Sequence, residues 1–255
     1  MVGFLFLLTI QLCGADSSPT AYPLQYPVNL DGRYTNQNEW SDVVEMPLDV
    51  GISGTGAYFS AKYDSSYLYT MWDFIECRTP FSGNDTASEN DVYMYLNPTN
   101  KPSETVDPSM WRILVASGYG VGAYFSRGTS DGDWTSWSRE RTSEINVDSR
   151  YQYTSSPHSP LTHWIVEIRF ALSGALKKVV AEGRMGVTIN FYDGFNDVRG
   201  GYPHSWRYKD PSTWASLEFS QEVVPEFPAV ALPLVTSILL IFSLAKPRGR
   251  KTHCT

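Results

Sequence analysis

The sequence predicts an all-β domain, an antiparallel β-sandwich of two sheets with a jelly-roll-like arrangement. Three observations support this fold class. Aromatic and β-branched residues occur in short runs, and Gly, Pro, Asn, Asp and Ser separate these runs. No long stretch shows helical periodicity, and short strands with turn residues at this spacing are typical of sandwiches.

The predicted strands follow one another through the middle of the chain. In residues 163–170 the apolar side chains at even positions share one face, whereas His163, Glu167 and Arg169 share the other. This alternation predicts one packed face and one solvated face. We expect Trp40, Phe59, Trp164 and Phe191 to be buried between the sheets. The predicted strands are residues 56–63, 67–72, 91–96, 111–115, 163–170 and 185–191, and residues 172–182 are predicted as a short helix.

The two ends of the chain resemble targeting segments. Residues 4–10 are apolar, too short to span a bilayer and followed by small residues, which predicts a signal peptide over 1–15. Residues 227–245 carry no charge and are long enough to cross a hydrocarbon core of ~30 Å as a helix. A basic cluster follows directly, and such clusters remain in the cytoplasm. We therefore predict an extracellular domain over 16–223 and a membrane anchor with a cytoplasmic tail over 224–255.

A tripeptide stands at the start of the predicted anchor, formed by Pro225, Glu226 and Phe227. Pro-Glu-Phe, then an apolar span, then basic residues is an order that resembles the PEF-CTERM sorting tails of archaeal surface proteins. The resemblance implies an archaeosortase-type enzyme that removes the helix and attaches the protein to the cell envelope. Without such an enzyme, the same residues make a plain membrane anchor.

Charge and cysteine content restrict the partners of the predicted extracellular domain. All 27 acidic residues precede the apolar C-terminal stretch, whereas four of the 20 basic residues follow it. Nucleic acid is not expected as a partner, because phosphate binding requires the opposite charge. Cys77 is the only cysteine of this domain, so no internal disulfide is expected. Asn84, in Asn-Asp-Thr, is its only N-glycosylation sequon.

Several segments, taken in order over residues 26–220, resemble the family-nine carbohydrate-binding modules and the related DOMON-like sandwiches. The resemblance implies a β-sandwich that binds carbohydrate without catalysis, with Trp40, Trp164 and Trp214 at core positions. The matching segments are Leu-Asp-Gly at 30–32, Glu-Trp at 39–40, Ala-Lys-Tyr-Asp at 61–64, Asn-Asp-Val-Tyr-Met-Tyr-Leu-Asn-Pro at 90–98, Trp-Ile-Val-Glu-Ile-Arg-Phe at 164–170 and Trp-Ala-Ser-Leu at 214–217.

Aromatic residues in two polar, glycine-rich loops are the candidates for carbohydrate binding. Proteins bind sugars by placing a flat ring against the apolar face of a pyranose and by fixing its hydroxyls with carboxylates and amides. Trp134 and Trp137 lie in the first loop, beside Asp133, and Tyr202 and Trp206 lie in the second. The alternative is that these rings cover the ends of the sandwich.

Two acidic clusters are candidates for a calcium site. Asp31 lies near Asn and Glu residues in one, and Asp193 and Asp197 lie in the other. Carboxylate and amide oxygens at such spacings suit a hard cation, although neither cluster matches an EF-hand loop. The alternative is that these residues form turns, for which Asp and Asn are common.

Haem is the alternative ligand, because some relatives of this sandwich bind haem b through Met, His or Lys. The chain has no Cys-x-x-Cys-His attachment motif, and each candidate ligand has an alternative explanation as a core or surface residue. The candidate ligands are His158, His163, His204, Met71, Met94, Met110 and Met185.

No catalytic motif is recognisable, whether a Ser/His/Asp arrangement, His-Glu-x-x-His or a phosphate-binding Gly loop. We therefore expect a protein without enzymatic activity. The sequence predicts a surface-anchored carbohydrate-binding protein whose partner is an extracellular glycan or envelope polysaccharide. The alternatives are a haem-binding electron carrier and a structural envelope or adhesion protein.

Overall fold

The computed structural model describes residues 18–35, 38–48, 56–75, 77, 90–117, 122–140, 142–194 and 198–223. The predicted signal peptide, the anchor with its Pro-Glu-Phe motif, the Asn84 sequon and Asp197 lie outside the described residues, so they stay predictions. Within the described ranges, no helix combines the length and the apolar character that crossing a bilayer requires.

The described residues form twelve strands and one short α-helix, which confirms the all-β prediction. All six predicted strands are present, and the helix α1 (Val179–Glu182) lies in the stretch predicted as helical. The strands are β1 (Thr20–Pro23), β2 (Met46–Leu48), β3 (Ala57–Tyr63), β4 (Tyr67–Phe74), β5 (Asn90–Asn97), β6 (Trp111–Ala116), β7 (Tyr124–Arg127), β8 (Val147–Ser156), β9 (Ser159–Ala171), β10 (Arg184–Asp193), β11 (Val198–Tyr202) and β12 (Ala215–Phe219), and Gly174–Leu176 and Pro211–Thr213 are 3₁₀ turns.

The strands belong to one continuous hydrogen-bonded sheet in the order β7-β6-β5-β10-β12-β1-β3-β4-β9-β8, with β11 beside β10 and β2 beside β3. This corrects the prediction of two separate, wholly antiparallel sheets. Strand β1 pairs in parallel with β12 on one edge and with β3 on the other. Because both edges of a strand carry N–H and C=O groups, this short strand joins two halves that are otherwise antiparallel.

One apolar core lies between the two halves of the sheet. Strands β3, β4, β8 and β9 contribute side chains from one half, and β5, β6, β10 and β12 contribute from the other. Phe59, Trp164 and Phe191 are buried in this core, as predicted, and Trp164 stacks on Phe74 with 5.1 Å between ring centroids. The halves therefore pack face to face like the sheets of a sandwich.

The outer face of β3, β4 and β9 is buried, which corrects the prediction that His163, Glu167 and Arg169 share a solvated face. His163 and Glu167 are fully buried, and Arg169 is partly buried. The chain between β1 and β2 packs over this face and places Trp40 against it. Trp40 is thus buried as predicted, but in a second cluster outside the main core, with Val43, Tyr69, Met71 and Ile165.

Glu167 fixes this covering segment to the sheet. Its carboxylate accepts hydrogen bonds from the backbone N–H groups of Asp31 and Gly32 and from Trp40 Nε1, at 2.8–3.0 Å. Gly32 has φ +78°, and a Cβ there would lie 2.6 Å from the backbone of Tyr151. The Leu-Asp-Gly segment therefore requires glycine, because any side chain would separate it from the sheet.

Lys62 fixes the same segment from β3. Its buried ammonium donates to the backbone carbonyls of Tyr26 and Glu39 and forms an ion pair of 2.9 Å with Asp42. Asp42 in turn accepts from the N–H groups of Gln25 and Tyr26. Because a buried charge is tolerated only when its hydrogen bonds are satisfied, these contacts allow charged groups under an apolar layer.

Because Glu167 is buried, its titration should change the free energy of unfolding with pH. Desolvation outweighs its hydrogen bonds and raises the pKa of Glu167 from 4.5 to about 7. The folded state then binds a proton more tightly than the unfolded state, so this stabilisation is complete below pH ~4.5 and is lost as the pH rises through ~7. We expect the loss to be roughly 3 kcal/mol.

The measurement is urea unfolding at a series of pH values for the wild type and for Glu167→Gln, which stays neutral. Titration of the neighbouring Glu39 and Lys62 contributes to both proteins and largely cancels in their difference. The stability of the wild type relative to the variant should fall across this interval. A difference that does not change with pH would contradict the assignment.

Candidate functional site

The outer face of the other half of the sheet carries aromatic rings. In β5, Val92, Met94 and Leu96 point into the core, so the alternation of the strand places Tyr93 and Tyr95 on the outside. Four tryptophans from loops join these two tyrosines. We call this set the aromatic platform, and its members are Tyr93, Tyr95, Trp134, Trp137, Trp206 and Trp214.

Tyr95 lies at the centre of the aromatic platform. Its ring centroid is 5.6 Å from that of Trp134, 5.3 Å from that of Trp206 and 5.8 Å from that of Trp214. Trp134 and Trp214 are nearly parallel, with 8° between their planes. Tyr95 is buried by its neighbours, whereas all four tryptophans are partly exposed. The rings therefore form a supported surface that remains open to solvent.

Hydrogen bonds between loops fix these rings. Trp134 Nε1 donates to the carbonyl of Tyr208 at 3.2 Å, and Trp214 Nε1 donates to the carbonyl of Arg207 at 2.9 Å. Lys209 Nζ lies 2.9 Å from the carboxylate of Asp133. The loop that carries Trp134 and Trp137 is thereby tied to the loop that carries Trp206.

Arg112 supports the aromatic platform from β6, where it lies opposite Tyr95. Its guanidinium is 4.2 Å from the ring centroid of Trp137 and 5.2 Å from that of Trp134. It also donates to the carbonyl of Thr135 at 3.3 Å. Burial lowers the pKa of Arg112, but an arginine remains charged at neutral pH, so both rings receive a cation–π contact.

A cleft of about 610 Å³ adjoins the aromatic platform, and we call it the first cleft. Strands β5, β10 and β11 and the loop after β11 form its walls. Polar and charged groups line it beside the rings, which is the composition of a small-molecule site. Among its lining residues are Asp91, Tyr93, Asn190, Arg199, His204 and Trp206.

Asn190 is a buried polar residue in the wall of the first cleft. The side chain is 5% exposed, and its Nδ2 donates to the hydroxyl of Thr188 at 2.7 Å. Its Oδ1 has no hydrogen-bond partner among the described residues. A Cβ on Gly201 would lie 2.3 Å from this oxygen, so glycine is required where β11 passes beside it. The oxygen is therefore buried under β11, within the wall of the first cleft.

Three of the rings predicted from the loops meet at this face. Trp134, Trp137 and Trp206 all belong to the aromatic platform, and Asp133 lies exposed at its edge. Tyr202 lies apart from them, because its partly buried side chain packs against the main core.

The sequence reasoning missed part of the aromatic platform. Trp214 was expected in the core, yet it is partly exposed and stacks on Trp134. Tyr93 and Tyr95 were detectable, since alternation in 91–96 places them on the face opposite the apolar residues. No sequence pattern identifies Arg112 as part of the site, because only the tertiary structure brings it under Trp134 and Trp137.

Of the predicted calcium ligands, Asp31 and Asp193 lie within the described residues, one from each predicted cluster. Asp31 accepts hydrogen bonds from Asn29, Arg33 and Thr35 within its own turn. Asp193 is buried at the end of β10, opposite Asn90. Among the described residues, no group of three His, Cys, Asp or Glu side chains converges on a common point. The calcium prediction stays a prediction.

The candidate haem ligands are dispersed. Met71, Met94, Met110 and Met185 are buried. His163 is buried with its Nε2 2.6 Å from Asp73, and His158 stacks on Tyr58. Of these side chains, His204 lines the first cleft. The haem alternative can be tested by a visible absorption spectrum of the purified protein.

No protein-family model and no curated protein matches the chain. Among solved structures, the chain is similar to a family 9 carbohydrate-binding module from Caldicellulosiruptor kristjanssonii in complex with cellotriose. That match has a TM-score of 0.48 and 17% identity, and covers 82% of this chain and all of the other. The chain is also similar to a family 9 module from Caldicellulosiruptor kristjanssonii in complex with glucose. That match has a TM-score of 0.49 and 14% identity, and it covers 82% of this chain and all of the other.

Replacing Arg112 with Met should disorder the aromatic platform without unfolding the domain. The variant loses both cation–π contacts, each worth roughly 0.5–1 kcal/mol near partly exposed rings, and the bond to Thr135. We expect weaker near-ultraviolet circular dichroism from the tryptophans, an unchanged far-ultraviolet spectrum and a stability loss of about 1–2 kcal/mol. Arg150→Met, an exposed arginine on β8, is the control and should change neither spectrum. An unaltered near-ultraviolet spectrum in Arg112→Met would show that the guanidinium does not position the rings.

Proposed function

We propose that this protein binds a neutral glycan without chemistry, on the aromatic platform and in the first cleft. One observation carries the proposal. Trp134, Trp137 and Trp206 come from two loops that are distant in sequence, yet they lie together on one partly exposed face. A polar cleft adjoins this face. Burial of aromatic rings within the protein would stabilise the fold more than this open arrangement does. A surface of supported, open rings is therefore better explained by a ligand.

The chemistry of the face suits a sugar. A pyranose has an apolar C–H surface that packs on a flat aromatic ring, and hydroxyls around its edge that require hydrogen bonds. The rings of the aromatic platform supply the first contact. Asp91, Arg199 and His204, which line the first cleft, supply the second. Because the rings are already fixed by bonds between loops, binding would cost little conformational entropy.

The charges of the first cleft favour a neutral ligand. Asp91 and Arg199 line it with opposite signs. The whole chain carries a formal net charge of −7, which opposes the approach of anionic polymers. A neutral glycan is not repelled by the net charge of the chain, and it brings no charge that would need a partner in the cleft.

Alanine variants of the aromatic platform should separate binding from stability. Trp137→Ala and Trp206→Ala should weaken binding to a neutral polysaccharide at least about tenfold, or ~1.4 kcal/mol. Trp164→Ala, in the main core, should instead cost about 3–5 kcal/mol of stability. The measurements are affinity electrophoresis in gels that contain glucan, xylan or mannan, and urea unfolding of the same variants.

Two outcomes would contradict the proposal. If both platform variants destabilise the fold as strongly as Trp164→Ala, their rings belong to the core. If the wild type is retarded by none of the three polysaccharides and binds nothing on an array of neutral glycans, the structural envelope or adhesion role replaces glycan binding.

We also propose that the domain acts outside the cell, tethered to the membrane or envelope. The support is the sequence alone, namely the apolar run at 4–10, the charge-free stretch at 227–245 and the basic cluster after it. The Pro-Glu-Phe motif at 225–227 supports processing by an archaeosortase-type enzyme, with the uncleaved membrane helix as the alternative. A surface location would give the binding site access to extracellular and envelope polysaccharides.

Protease added to intact cells should digest the domain at 16–223, since only the region after the anchor is expected inside. Immunoblots with antibodies against the domain and against the tail would follow the two regions. A cytoplasmic protein provides the control for cell integrity. Protection of the domain with loss of the tail would show the reverse orientation.

A further inference from the structure

A second cleft, of about 630 Å³, lies beside the first. Trp206 lines both clefts, so the two adjoin at this residue. The second cleft is formed by the loop after β5, the turn at Gly132 and the loop that follows Trp206. The residues that matter here are Glu104, Thr105, Tyr208, Lys209 and Asp210.

The walls of the second cleft are fixed to the aromatic platform. The carbonyl of Tyr208 accepts the bond from Trp134 Nε1, and Lys209 is paired with Asp133. The backbone N–H of Ser212 donates to the carbonyl of Ser103 at 2.8 Å, which joins the loop after Trp206 to the loop after β5. The same contacts that hold the rings therefore also shape this cleft.

Tyr208 is an exposed aromatic side chain in the second cleft. Its side chain is 48% exposed, and Lys209 Nζ lies 5.5 Å from its ring centroid. A large ring in this position contributes little to the core but can stack on a ligand. The second cleft thus repeats the combination of a ring and polar groups that the first cleft has.

The charges of the second cleft are also balanced. Glu104 and Asp210 oppose Arg207 and Lys209 around its lining. Each of the two clefts is within the volume range of a site for a drug-sized ligand. A ligand that fills both must therefore be long, neutral and able to present an apolar face to Trp206 and another to Tyr208.

We propose that the two clefts form one groove that passes the ring of Trp206 and holds several consecutive units of a neutral polysaccharide chain. This inference rests on the proposed function and adds the class of ligand, which is a long chain rather than a single sugar or a disaccharide. Tyr208 and Glu104 bind the units that extend beyond the first cleft.

The experiment is isothermal titration of the full domain with ladders of β-1,4-linked glucose, xylose and mannose oligomers, from one unit to six. Affinity should rise with length by about tenfold or more, ~1.4 kcal/mol, once the chain passes Trp206. Tyr208→Ala and Glu104→Ala should remove most of this gain and leave the affinity for the shortest bound oligomer unchanged. Leu161→Ala, an exposed apolar residue at the start of β9, is the control and should leave the whole length dependence intact.

Two results would overturn this inference, and they differ in what they leave standing. If an oligomer binds in a Trp206-dependent manner but affinity stops rising at two units, and Tyr208→Ala has no effect at any length, the second cleft is not used and the proposed function stands. If no ladder binds and Trp206→Ala changes nothing, the proposed function fails together with the groove.

Discussion

The alternation of side chains along a β-strand is the constraint on which the structure depends. One curled sheet supplies a core from its inner face, and every strand then has a second face that must be covered or exposed. The two halves of the sheet meet this constraint differently. The chain between β1 and β2 covers the outer face of β3, β4 and β9, whereas aromatic residues from loops gather on the outer face of β5 and β6.

The covered half contains charged groups that would be costly without partners. Lys62 and Glu167 have fully buried side chains, yet each has several hydrogen bonds to the covering segment, and Asp42 of that segment is the ion-pair partner of Lys62. Most of these bonds involve backbone groups of a segment that has no long strand of its own. These buried side chains therefore supply hydrogen bonds that the partners of a regular strand would have made.

The half of the sheet that carries the aromatic platform also depends on hydrogen bonds between distant segments, but there these bonds position exposed rings. Trp134 and Trp214 donate their indole N–H groups to the backbone of the loop at Arg207 and Tyr208. Each ring thus positions the loop that carries its neighbours, and Arg112 supports the rings from the sheet. A ligand would meet a surface whose geometry is set before binding, and rigid positioning of this kind favours affinity and specificity.

The sequence by itself determined the fold class, the six strands and the short helix, because these follow from local periodicity and turn residues. It also identified Trp134, Trp137 and Trp206 as loop aromatics, since Gly, Asp and Ser surround them. Only the tertiary structure decided that β1 joins the two halves, that the outer face of β9 is covered, and that Trp214 and Arg112 belong to the aromatic platform. The physical reason is that periodicity states which side of a strand is apolar, whereas coverage and pairing depend on segments distant in sequence, such as the bonds from Asp31, Gly32 and Trp40 to Glu167.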